Sequence, residues 1–269
     1  MLNDNFARIK KIFIVEASKS GFPCINWIKY ADFCSECDVV DANVPLATID
    51  RIFITANVER DEKHADNPPT ALQRFEFLEV IARVALAKFK EPGICSTVHE
   101  SIQKLLDEHL FKLGDTTEWQ EFRDKKLWTL EVNAVFEANL DLLWKIYDSY
   151  VQPRQKAMSM QSALKFLMRD TDLKVIEKDA YYCYGMCKMT VASEHEKNKL
   201  YFELRRVEFL EMLGRVAENK FKDTTMAEIP LAQRIEYVLD GVIPVLLGVP
   251  RRDVPPFDEE ELSESDDDY

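Results

Sequence analysis

Residues 74–90 place Phe77, Leu78, Ile81, Val84, Ala85 and Phe89 at helical spacing on one broad apolar face. Residues 206–222 repeat the segment, matching it at 11 of 17 positions without a gap. Neither segment holds proline and β-branched residues are few, so both are predicted helices. Glu79 and Arg83 stand one turn apart, as do Glu211 and Arg215, and each pair is expected to bond on the outer face. An unbroken match of this length predicts an internal duplication.

The pattern around the repeat is helical throughout. Residues 4–18 form a predicted amphipathic helix with Phe6, Ile9, Phe13 and Ala17 on one side and a stop at Gly21. A second helix is expected from near Pro23, a residue tolerated in a first turn, through Trp27 and Tyr30 to about Cys37. A third follows over about Ala47–Ala56. Residues 57–70 are polar and reach a double proline, which predicts a surface loop, with Thr70 as N-cap of the repeated helix. A helix over Ser96–Lys112 closes the unit. Residues 117–150 predict one long helix with a break, and the second half then repeats the order through Leu231–Leu247. The expected organisation is a first module at 1–115, a helical connector at 116–137, a second module at 138–249 and an acidic tail at 250–269.

Composition supports an all-α fold. Seven glycines are few for the turns of a β-rich chain, and 31% charged residues suit helices. The net charge of −13 is uneven: residues 251–269 hold nine acids and two arginines, a net −7, which leaves −6 for the rest. That tail is expected to be disordered. No basic patch points to nucleic acid. Six scattered cysteines do not form a disulfide framework. The start Met-Leu-Asn-Asp does not resemble a secretory leader, and no apolar run is long enough for a membrane span. The expectation is a reduced cytoplasmic protein.

The repeated helix resembles the exiting helix of an EF-hand. With Glu76 and Glu208 at the twelfth loop position, Leu72 and Leu204 fall at the apolar eighth. The implied loop 65–76 lacks an acid at its first position and glycine at its sixth, and loop 197–208 opens with Lys197. Calcium needs about six to eight oxygen ligands, so neither loop is expected to bind it. A wider likeness runs through Asn26-Trp27-Ile28-Lys29, Cys34, Cys37, Asp38-Val39-Val40-Asp41, Asp50-Arg51-Ile52-Phe53, Phe75-Glu76-Phe77-Leu78-Glu79 and Lys88-Phe89-Lys90. These residues resemble the core domain of the tubulin polymerisation-promoting protein family. In the second half Ala163 replaces the tryptophan, while Val207-Glu208-Phe209-Leu210-Glu211 and Lys220-Phe221-Lys222-Asp223 keep the pattern. The resemblance implies binding to tubulin or microtubules, promotion of assembly or bundling, and zinc binding in some members. The tandem form and long polar loops depart from the family's short form and suggest, by analogy, a relative from a cilium or flagellum.

Candidate chemistry is sparse. Cys34 and Cys37 have zinc-type spacing, but the same spacing suits two buried helix positions. Lys88, Lys90, Lys220 and Lys222 are basic ends of the repeated helices, suited to an acidic partner or, more simply, to the helix dipole. Ser263 and Ser265 each precede an acid by three residues, as an acidophilic kinase requires. No phosphate loop, nucleophile elbow or metal-protease motif is present. The expected function is a non-enzymatic, cofactor-free cytoskeletal interaction protein with two modules. Two alternatives stay open: a calcium- or zinc-responsive regulator of a target helix, and a structural adaptor with no tubulin contact.

Overall fold

The computed structural model describes residues 2–20, 22–57, 68, 70–112, 119–189, 191 and 194–255. The fold is all-α, and the strands among the described residues are of two residues each. The first half holds α1 (Phe6–Ser20), β1 (Ile25–Asn26), α2 (Trp27–Glu36), α3 (Leu46–Ala56), β2 (Ala71–Leu72), α4 (Arg74–Ala85, extended by a π turn over Leu86–Lys90) and α5 (Val98–Glu108). A connector follows with α6 (Trp119–Phe122) and a π turn (Arg123–Leu127). The second half holds α7 (Leu130–Tyr150), β3 (Met158–Ser159), α8 (Met160–Lys165, with a π turn over Phe166–Asp170) and α9 (Glu177–Cys187). It continues with α10 (Glu194–Lys197), β4 (Glu203–Leu204), α11 (Arg206–Phe221), α12 (Leu231–Asp240) and α13 (Ile243–Leu247).

Each half is laced by one antiparallel bridge. Ile25 pairs with Leu72, and Met158 with Leu204. All four side chains are fully buried. The bridge moves two expected boundaries. The second helix does not begin near Pro23, because Ile25–Asn26 must stay extended to pair. It begins at Trp27, where Asn26 Oδ1 accepts from the Lys29 amide at 2.9 Å. Thr70 is likewise not the cap of α4, since Ala71 and Leu72 are in the bridge and Gln73 is the N-cap. The bridge register also sets Met160, after the capping Ser159, in the place that Trp27 holds after Asn26; Ala163 lies further along α8. Gly21 and most of the 57–70 loop lie outside the described residues.

The halves share one core. α1 lies against α9, and Gly185 gives it room: a Cβ there would sit 3.0 Å from Phe22 Cδ2 and 3.1 Å from Ile14 Cγ2. The Phe22 ring meets Tyr184 and Tyr201 edge-on at 5.9 and 5.8 Å. The expected long helix over 117–150 breaks at Trp128–Thr129, and Leu231–Leu247 breaks at Gly241–Val242. After the first break α7 runs unbroken to Tyr150. Beyond α13 the chain doubles back onto α7. The fully buried Asn139 accepts from the Arg252 amide at 2.7 Å and donates to the Arg252 carbonyl at 3.1 Å.

The connector folds back onto α11. Leu127 is buried over Gly214, with its Cδ1 2.4 Å from where a Cβ would be. Arg123 Nε donates to Glu211 Oε2, and Arg215 Nε to Glu211 Oε1, each at 2.8 Å. The Glu211–Arg215 pair expected on an outer face is therefore buried, because a distant segment covers it. Its counterpart on α4, Glu79 with Arg83, does lie on the surface. Glu211→Leu leaves two buried guanidiniums without their anion and is expected to destabilise the protein by about 3–5 kcal/mol. Glu79→Leu is expected to cost under about 1 kcal/mol. Urea unfolding of the two variants, followed by circular dichroism, measures the contrast.

Candidate functional site

The loops leading into α4 and α11 carry the residues that the EF-hand likeness singled out. Glu208 is the third residue of α11, and its buried carboxylate faces back over the loop. Oε2 accepts from the Arg205 amide at 2.8 Å and from Lys188 Nζ at 2.7 Å, while Oε1 accepts from the Met189 amide at 3.0 Å. Lys188 caps the end of α9 and is itself buried. Its ammonium also donates to the Glu203 carbonyl, one residue before the bridging Leu204. An ammonium therefore sits between a loop carbonyl and the loop's terminal carboxylate. Such a pair is charge-balanced and largely closed to solvent.

The first half has the same frame with a different occupant. Glu76 is buried, and its Oε2 accepts from the Gln73 amide at 2.7 Å. Asn57 follows α3 as Lys188 follows α9. Its Nδ2 donates to the carbonyl of Ala71, again one residue before the buried bridge leucine, at 2.7 Å. A neutral amide here makes the bond to the carbonyl that an ammonium makes in the second half.

Lys88 was a candidate for partner contact, and the structure corrects this. Its Nζ is buried and donates to the Val39 carbonyl at 2.9 Å, to the Asp38 carbonyl at 3.3 Å and to Asp41 Oδ2 at 2.6 Å. Asp41 in turn accepts from the Asn43 and Val44 amides at 2.8 Å each. Burial pushes the Asp41 carboxyl up, but Lys88 and the two amides outweigh it and hold it below its ordinary value. The lysine thus pins the loop after α2. Lys220 Nζ, on the matching turn, donates to the Leu173 carbonyl at 2.8 Å. Lys90 bonds the Ser96 carbonyl at 2.7 Å, and Lys222 bonds Asn219 Oδ1 at 3.0 Å. These two bonds are exposed, the first to the segment before α5 and the second within the end of α11.

Of the candidate zinc ligands, Cys34 lies within α2 and Cys37 is its C-cap. Both side chains are buried in the first half's core. Burial pushes the Cys34 thiol up to about 12 and raises Cys37 further. Cys183 and Cys187 are buried in α9, and burial lifts Cys183 to about 12. Among the described residues, no group of three or more His, Cys, Asp or Glu is placed to hold a metal ion. Ser263 and Ser265 lie outside the described residues.

Sequence reasoning missed Lys188 and the Arg123–Glu211–Arg215 triad. One signal was present for the triad: Gly214 stands where the first repeat has Ala82, and a mid-helix glycine marks close approach of another segment. Nothing local marks Lys188, whose partners are 15 and 20 residues away.

Lys188→Met is expected to destabilise the protein by about 3–5 kcal/mol, because Glu208 loses its buried counter-charge. Adding Glu208→Gln should recover a measurable part of that loss, read as a shift in the urea midpoint. Titration of the native protein with a thiol reagent at neutral pH should label the half-buried Cys24 and Cys95 and spare the four buried cysteines, while the unfolded chain should label all six. No family model matches this chain, and no curated protein or solved structure matches it either.

Proposed function

We propose that this protein is a non-enzymatic interaction scaffold of degenerate EF-hand-like modules, held in one conformation without calcium. It would act on the cytoskeleton, with tubulin or microtubules as partner and a cilium or flagellum as one setting. One observation carries the metal-independent part. Counted from Lys197, Glu203 is the seventh position and Glu208 the twelfth. In an EF-hand these positions give calcium a backbone carbonyl and a bidentate carboxylate. Here the Lys188 ammonium bonds both groups. The bridges at Leu72 and Leu204, the expected eighth positions, support the same reading.

The tubulin part rests on the resemblance in the first half. Burial of Lys88 removes one basic side chain from any surface that would meet an acidic partner. The shared core through α1 and α9 fixes the spacing of the halves, so two weak contacts would act as one rigid bivalent surface. Calcium switching through the second-half loop is disfavoured by Lys188, which occupies the carbonyl and the carboxylate the ion would need.

Microtubule co-sedimentation of the full chain, in calcium, in zinc and in chelator, tests the proposal. Equal pelleting in all three is expected. If the protein stays in the supernatant throughout, tubulin is lost as the partner and the adaptor reading replaces it. Pelleting that needs a metal would overturn the metal-independent scaffold.

A further inference from the structure

The two repeated helices differ in what covers them. On α11 the connector lays Phe122, Arg123 and Leu127 over the outer face, and the side chains of Glu211 and Arg215 keep 3% and 6% exposure. On α4 the matching Glu79 and Arg83 keep 45% and 35%. Leu78 and Ala82 lie half-buried on the same stretch. The polar frame is shared. Arg83 Nε bonds Oε1 of Glu79 at 2.8 Å, as Arg215 Nε bonds Oε1 of Glu211. On α11 the second oxygen takes Arg123, whose Nη2 also reaches the carbonyl of Cys187, the last residue of α9. On α4 Oε2 of Glu79 has no such arginine among the described residues, and Ala56 ends α3 at the matching place.

We propose that this face of α4 is a docking surface for a short helix of a partner protein. The connector supplies the chemistry of that helix. It presents an arginine to Glu79 and, one residue before it, an aromatic ring for the Arg83 guanidinium to cover, as Arg215 covers Phe122 at 4.5 Å. Four residues after the arginine it carries a side chain shorter than leucine. The methyl of Ala82 takes the room that Leu127 Cδ1 has over Gly214. This difference disfavours the connector of a second copy on α4 and assigns the face to another protein. The proposal deepens the scaffold reading and rests on it only in treating the protein as a binder; it does not need tubulin to be the partner.

The probe is a fluorescent peptide with the sequence of residues 117–129 and the change Leu127→Ala, titrated into the full chain. Binding with Kd of about 0.1–1 mM is expected, with NMR shifts centred on Leu78–Arg83. Glu79→Lys should weaken it by about tenfold or more, and an Arg123→Glu form of the peptide should regain affinity for the Glu79→Lys protein. The leucine-bearing peptide should bind wild type more weakly and Ala82→Gly more strongly. No binding up to about 1 mM, shifts centred on α11, or indifference to Glu79→Lys would overturn the docking surface. Equal binding of the two peptides to wild type would overturn the role given to Ala82. Any of these failures would leave microtubule co-sedimentation unaffected, so the two readings fail separately.

Discussion

A carboxylate taken out of water must find donors or a counter-charge, and much of the second half follows from that demand. Glu208 and Glu211 lie one turn apart on α11, and both are buried. Neither is met by its own helix alone. Lys188 comes from the end of α9, and Arg123 from the connector. Each bond therefore fixes a segment distant in sequence against the repeated helix. Buried ion pairs add little net stability over apolar packing, so the effect of these is on arrangement. They hold the end of α9 and the connector against α11.

The first half shares part of this frame. Its frame has the same bridge and a buried glutamate at the start of α4, but an asparagine amide where the lysine stands. Its one buried ammonium with an acid partner in the α4 turn, Lys88, points to the loop after α2 instead. Its Glu79–Arg83 pair stays in solvent, where the interaction is screened. Among the described residues, the repeated helix of this half is the one whose Glu–Arg pair is open to the outside.

The helical class and the repeated helix were legible because both follow from local periodicity. So was the spacing of Leu72 to Glu76 and of Leu204 to Glu208, which the bridges use. Boundaries failed where a tertiary constraint opposed a local preference. Pro23 suits a helix start, yet pairing of Ile25 with Leu72 keeps the chain extended to Asn26. Thr70 suits a cap, yet the same bridge delays α4 past it. The lysines at the helix ends fit the dipole argument, which cannot foretell that one of them reaches back 47 residues to Asp41. The Cys34–Cys37 spacing serves a metal and a core helix equally, and nothing in it foretells that both thiols are buried. Glu211 and Glu79 occupy the same place in matched sequences, and what lies over them is set by a segment that neither repeat contains.

The packing of α1 on α9 bears on how the chain is made. Synthesis delivers α1 first and α9 only after some 160 further residues, and separations of this kind slow folding. Until α9 arrives, Ile14 and Phe22 lack the surface they press against at Gly185. The first half therefore cannot complete its burial while it emerges, although its own bridge and helices are already present. It must wait with an apolar face uncovered, the condition under which nascent chains associate wrongly or recruit chaperones.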